Sequence, residues 1–460
     1  MTNPLQRRPK QDGRHTPNLW PVWLVAPGAL LLVGAAAFGL YHGAELLLSS
    51  ESTGKKPVGV QDVIKTTVTV LTLIGAVLAA LYAYRKQLLD EGTSHRADST
   101  QLTERYTKAA EQLGHDQAAV RLAGVYAMAR LADDWPEQRQ VCVDVLCAYL
   151  RMPYETDTTA PAFRHGEREV RLTIIRTIRN HLQDPTADTT WCGLNLDFTG
   201  ATFDGGDFTG SFFSGGEVDF GGSTFSGGDT YFRHVIFSGG QIYFNGTTFS
   251  GGRIYFNGAT FSGSQIYFND ATFSGGRVYF FRSTLSGGQV NFSESIFSDG
   301  EVDFGRVKFA GGQVYFNRSK FSGGKVFFTS SEYDSGVVSF VRSTFSGGEV
   351  LFSGSTFSGA KIDFSSAIFS GSAVSFTGSK YVGSEVFFTG SAFSGGEVSF
   401  RLSTYDGGEV SFIHSAFSGG EVSFSGSTYS GGIVRFQASR VHAAATVHWE
   451  PFPAIPVNQE

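Results

Sequence analysis

The sequence predicts a β-solenoid preceded by helices, and three observations carry that reading. A phenylalanine returns every twelve residues from Phe225 through Phe237 and Phe249 to position 429, with only Leu285, Tyr333, Tyr381, Tyr405 and Tyr429 replacing it. A second column, Phe220, Phe232, Phe244 and onward to Phe436, keeps the same step without substitution. Glycine and phenylalanine are abundant, 58 and 43 of 460 residues, while the 13 prolines are ordinary. Self-similarity at a fixed period marks stacked repeats that share one continuous core.

The elements follow in chain order. Residues 1–18 form a basic N-terminus, with Arg7, Arg8, Lys10 and Arg14. Two apolar stretches, 19–40 and 64–84, make up a two-helix transmembrane hairpin over 19–84. Each approaches the roughly 20 residues that a helix needs to cross a bilayer. Trp20, Trp23 and Tyr41 flank the first stretch, and Tyr82 and Tyr84 lie at one end of the second, as interfacial aromatics do. Arg85, Lys86 and Arg96 follow the second stretch. The excess of basic residues at both ends predicts a multi-pass protein of the cell membrane with both termini and the solenoid cytoplasmic. The bilayer is the first partner so implied.

From 94 to 184 the apolar spacing turns helical and predicts a connector or cap. Pro136 opens one of its helices, and Pro185 ends another. The segment VRLAGVYAMARLA resembles one unit of HEAT-type helical repeats. Cys142, Cys147 and Cys192 are too few and too widely spaced for a disulfide framework or a zinc site.

The solenoid spans 194–441. Its head, LDFTGATFDGGDFTGSFF, sets Phe198, Phe203, Phe208 and Phe213 five residues apart, with Ala201, Gly206 and Ser211 two positions before the last three. This pattern resembles the pentapeptide-repeat family. The resemblance implies a right-handed quadrilateral β-helix in which the large central residue and the small residue two places earlier point inward. The twelve-residue unit divides the same way, into Ser343–Gly347, a Gly348-Glu349 insert and Val350–Gly354. Phe345 and Phe352 are then central and inward. Phe220, Phe225, Phe244, Phe249, Phe268 and Phe273 take equivalent core positions. The glycine insert suits a corner, and a corner-glycine substitution is expected to cost less than a charge in a Phe column.

The length of a turn is also legible. Gln241, Gln265, Gln289 and Gln313 occupy every second unit, and all five Phe replacements share one parity. Two positions therefore repeat at twenty-four, which predicts two units and four short sides per turn. A two-sided turn of twelve is the alternative. About ten turns at ~4.8 Å give a rod near 50 Å.

On the outer surface, Tyr231, Tyr255 and Tyr279 are expected to stack beside Arg253 and Arg277. Tyr243, Tyr267 and Tyr315 form a matching row beside the glutamines, which are expected to build amide ladders. Cross-turn packing alone accounts for such rows; the alternative is a protein-partner surface, since interfaces favour Tyr and Arg. The sequence offers no catalytic or metal constellation and calls for no cofactor, so an enzyme is not expected. The net charge of −6 argues against a nucleic-acid binder. A non-enzymatic, membrane-tethered scaffold at the cytoplasmic face is the leading expectation. Some pentapeptide-repeat proteins mimic DNA and act on DNA gyrase, but that use needs a strongly acidic rod, and across 191–441 twenty acidic residues face fifteen basic ones. An externally facing adhesin or wall-binding rod is the other alternative. The tail, 442–460, breaks the rhythm and is expected to cap the last turn.

Overall fold

The computed structural model describes residues 60–453, together with Leu31, Gly34, Ala35, Phe38, Gly39 and His42. Residues 1–18, most of the apolar stretch 19–40 and the end of the tail, 454–460, lie outside the described residues. The chain divides into two compact units, 1–104 and 105–460.

In the first unit, helix α1 (Val60–Leu113) begins. It is a single helix of 54 residues, where the sequence suggested a span ending at 84 and a separate helix from about 94. No proline falls between Pro57 and Pro136 to stop it. Its Val68–Gln87 stretch is long and apolar enough to cross a membrane, with mean hydropathy 1.7 and none of it buried. Thr69 and Thr72 donate their hydroxyls to the carbonyls of Lys65 and Val68, at 2.8 and 2.7 Å. This satisfies both hydroxyls inside the helix. The expected hairpin thus has one described member.

The second unit is a right-handed parallel β-solenoid of eleven turns, capped by helices at one end. Helices α2 (Ala118–Asp134), α3 (Arg139–Arg151) and α4 (Glu167–His181) form the cap. A complete turn contributes four short strands, except where two of them run together into one of eight residues, as in Lys308–Tyr315 and Thr404–Ser411. Two of them join a common broad sheet, and the others form two narrow sheets of eleven strands each. Strands pair in register with a step of twenty-four: Phe249 lies against Phe273, Gln241 against Gln265, and Tyr255 against Tyr279. A turn therefore holds two sequence units.

The core is aromatic and follows from that step. Phe244 and Phe268 stack at 4.6 Å with rings 6° apart. Across the interior, Phe244 meets Phe256 of the facing column edge-on, at 6.1 Å and 84°. Parallel stacking along the axis and edge contacts across it are the two favourable ring geometries, each adding to burial worth roughly 1.5–3 kcal/mol per side chain. Phe220, Phe225, Phe249, Phe273, Phe345 and Phe352 are all buried, as are the small residue Ser343 and the Val350 that precede the last two.

Buried serines close a second network. Ser343 donates its backbone N–H to the Phe340 carbonyl of its own turn, at 3.0 Å. Its hydroxyl donates to the Phe316 carbonyl one turn back, at 2.5 Å. Ser319, Ser355 and Ser391 repeat the contact at 2.7 Å. A hydroxyl is tolerated at these positions because it meets the equivalent carbonyl of the preceding turn; Ser211, in the first turn, makes no such bond.

Two kinds of corner turn the chain. The residue two places after each Phe of the unsubstituted column takes positive φ, whether it is Gly246, Asp270, Arg282, Arg318 or Ser366. The second residue of the glycine insert behaves differently, because it lies against the preceding turn. A Cβ at Gly348 would sit 2.3 Å from the Gly324 carbonyl oxygen, and one at Gly240 2.5 Å from that of Gly216. At Gly348 and Gly240, which take positive φ, glycine serves both space and dihedral freedom; Ser264, Ala360, Ser372 and Ser384 hold the same place in other units without positive φ.

Both ends are covered. Arg151 of α3 pairs with Asp197, while Arg168 and Arg179 of α4 pair with Asp204 and Asp207 at 2.9 and 3.2 Å. These three arginines hold the cap on the first turn. Inside the cap, buried Arg121 pairs with Glu167 at 3.1 Å, and Glu167 also accepts from the Tyr149 hydroxyl at 3.0 Å. At the far end Phe452 meets Phe424 at 5.4 Å, and Trp449 meets Phe436 at 5.1 Å, both edge-on.

Three tyrosines of the substituted column, Tyr333, Tyr381 and Tyr405, are buried with hydroxyls that make no hydrogen bond. Burial pushes all three phenols upward, so they stay protonated. Removing an unsatisfied hydroxyl relieves its desolvation cost, about 1–3 kcal/mol. Tyr381→Phe is therefore expected to raise stability by about 1 kcal/mol in urea unfolding, and a destabilised variant would refute this account of the column.

Candidate interaction face

The narrow sheet that runs from Gly206–Asp207 to Thr446–His448 carries the most distinctive surface. In its three-residue strands the middle side chain is buried and the flanking two lie on the other side of the pleat, where Ser399 and Ser423 are themselves covered. Ile254 and Val278 are buried, whereas Arg253, Tyr255, Arg277 and Tyr279 face out. Tyr231, Tyr255 and Tyr279 stack in sequence at 5.2 Å. The Arg233 guanidinium lies over the rings of Tyr231 and Tyr255, at 4.6 and 4.5 Å. Such contacts contribute about 0.5–1 kcal/mol at exposed sites.

The two arginines picked out in the sequence differ. Arg253 makes two hydrogen bonds to Asp229 of the preceding turn, at 2.9 and 2.8 Å, and these hold the Asp229 carboxyl below its usual range. Arg277 approaches Glu301 only to 3.8 Å. Together with Asp229 and the backbone of Gly252, Gly275 and Gly276, they line an open groove at the glycine corner.

The second tyrosine row is shorter than the sequence suggested. Tyr243 and Tyr267 stack at 5.4 Å. Asn291 then stands between Tyr267 and Tyr315. The glutamines turn to their own strands: the side-chain carbonyls of Gln265 and Gln313 accept from the hydroxyls of Tyr267 and Tyr315, at 2.8 and 2.9 Å. Gln241 accepts from Tyr243 likewise. A phenol two residues away is a better-placed donor than the next amide along the axis, so this pairing replaces the expected amide ladder.

Sequence reasoning missed the other half of the aromatic face. Toward the C-terminal end, the positions held by tyrosines become Ser375, Ser399 and Ser423, and the arginine positions become Ala373, Glu397 and Glu421. Ser353, Ser375, Thr377 and Ser399 join in a chain of hydroxyl contacts of 3.0 Å. The signal was present as a twenty-four-residue column, but a change of residue type along it has meaning only once the strands are aligned.

Burial pushes the Cys142 thiol to about 11 and the Cys147 thiol to about 12, which leaves them unreactive. Among the described residues no group of three or more His, Cys, Asp and Glu is placed to hold a metal ion.

The fold belongs to the class of regular parallel β-solenoids with stacked phenylalanines, consistent with a pentapeptide-repeat-like coil. No family model, curated protein or solved structure matches this chain.

Proposed function

We propose that this chain is a non-enzymatic scaffold tethered to the cytoplasmic membrane through a two-helix hairpin, with its solenoid and both termini in the cytoplasm. The observation that carries the reading is that the chain holds both an apolar Val68–Gln87 helix, none of it buried, and a rigid rod of eleven stacked turns. A rod built on continuous ring columns serves to hold surfaces at fixed spacing rather than to close around a substrate. Its partners are the lipid bilayer and a protein recognised at the Tyr–Arg face. The near balance of acidic and basic side chains along the rod disfavours nucleic acid and disfavours mimicry of it toward gyrase.

Fractionation of cells expressing the full chain tests the tether. The protein is expected in membranes after a carbonate wash, and deletion of 19–84 is expected to release it. Recovery of the intact chain in the soluble fraction would overturn the proposal. Topology is read from half-buried Cys192. A membrane-impermeant maleimide should label it only after cells are opened. Labelling of intact cells would point instead to an external rod.

A further inference from the structure

We propose that the Tyr–Arg face binds a second copy of this chain, the two solenoids lying antiparallel and face to face. The proposal deepens the scaffold reading by naming the protein that this face meets.

The face is partly self-complementary. Its N-terminal half carries Arg253, Tyr255, Arg277, Tyr279 and Lys325 together with Glu301 and Asp303, and its C-terminal half is small and acidic, with Glu349, Glu397 and Glu421. A symmetric dimer requires that residue i meet residue j while j meets i. Consider a two-fold axis parallel to the strands, between Lys325–Phe327 and Glu349–Leu351, which are adjacent in the sheet. It sets Arg277 against Glu397 of the second copy; Arg253 also falls opposite Glu421 and Lys325 opposite Glu349, groups that already meet partners in their own chain, Arg253 with Asp229, Glu421 with His448 and Lys325 with Glu349. Phe327 then meets Leu351 at the centre, and Tyr279 and Tyr255 fall over the strands of Ser399 and Ser423, whose side chains are buried beneath that surface.

Flanking residues obey the same register. Phe281 falls opposite Arg401, and Arg282 opposite Leu402, which is 64% exposed. Glu397 and Arg401 are exposed and make no ion pair among the described residues. The Arg277–Glu301 contact of 3.8 Å leaves guanidinium donors available. The caps also fit. Helix α4 packs on the first strand from the inner side, where a Cβ on Gly206, in the inward column of Thr230 and Ile254, would meet Ile175 at 3.0 Å. The axis carries that strand past the end of the second copy's sheet, so the cap meets no opposing strand.

Eight strands a side at ~4.8 Å give a contact about 38 Å long. One three-residue strand is about 10 Å wide, so the area falls short of the roughly 800 Å² per partner of a standard interface. A reversible dimer is therefore expected, with charge setting the register.

The test uses the full chain in detergent, with protein mass read by light scattering across micromolar concentrations. Wild type should pass from monomer to dimer. Glu397→Arg and Arg277→Glu should each weaken the dimer about tenfold or more. An equimolar mixture of the two variants should restore it, which misfolded chains could not do. A monomeric wild type, dimers indifferent to either substitution, or a mixture that stays monomeric would overturn the proposal. Mass is independent of membrane retention, so failure of the tether would be seen separately.

Discussion

Replacing Phe340 with aspartate is expected to cost roughly 5 kcal/mol or more and to open the rod locally. Phe340 is fully buried, stacks on Phe316 and Phe364 at 4.8 and 4.6 Å, and meets Phe328 and Phe352 edge-on at 6.0 and 5.8 Å. A carboxylate there loses five rings' worth of mutual packing and finds no cation inside the core. Each turn of a solenoid contacts only its neighbours, so the damage should stay local. Limited proteolysis should cut between about residues 316 and 364 while the capped N-terminal turns stay protected. A wild-type urea midpoint would show that the ring columns do not hold the rod together.

The second large effect distinguishes two glycines six residues apart. Gly348→Ala is expected to destabilise by about 2–4 kcal/mol, because positive φ and a backbone clash add. The Glu349 amide reaches the Gly324 carbonyl at 3.0 Å, so a methyl group has no room while Gly348 keeps its positive φ; Ser372, at the same place one turn on, is accommodated without positive φ. Gly354→Ser should cost only about 1 kcal/mol. Its φ is +68°, but the nearest atom to an added Cβ is the Ser330 hydroxyl at 3.6 Å, and Ser330 itself holds φ +54° one turn away. Equal urea midpoints for the two variants would refute the distinction.

Much of this architecture was legible in the residues. The stacking of Phe244 on Phe268, the twenty-four-residue step and the inward place of Ser343 all follow from periodicity, because a strand repeats every two residues and a solenoid repeats its whole turn. The left-handed corner was present but unread. Positions 234, 246, 258 and onward to 438 never hold Val, Ile or Thr, and β-branched side chains are the ones that positive φ excludes. That the two kinds of corner differ was not legible, since composition cannot reveal that Gly348 touches the turn before it. The clamps from Arg168 and Arg179 to Asp204 and Asp207 join residues about thirty apart with no periodic relation, and only the fold brings them together. At the candidate face, the tyrosine columns are readable from the chain alone. That the same columns run on into Ser399, Ser423, Glu397 and Glu421 has meaning only once the whole sheet is aligned.

The serine contact, reaching back to a carbonyl of the preceding turn, has a consequence for how such a chain changes length. Every internal turn offers the next the same carbonyls, rings and amides in the same places. Excising twenty-four residues from the middle would leave matching surfaces to rejoin and both terminal covers seated. Excising twelve would bring unlike sides together and bury the wrong edge. Length in this molecule is therefore quantised, and its rods can lengthen or shorten in evolution only by whole coils.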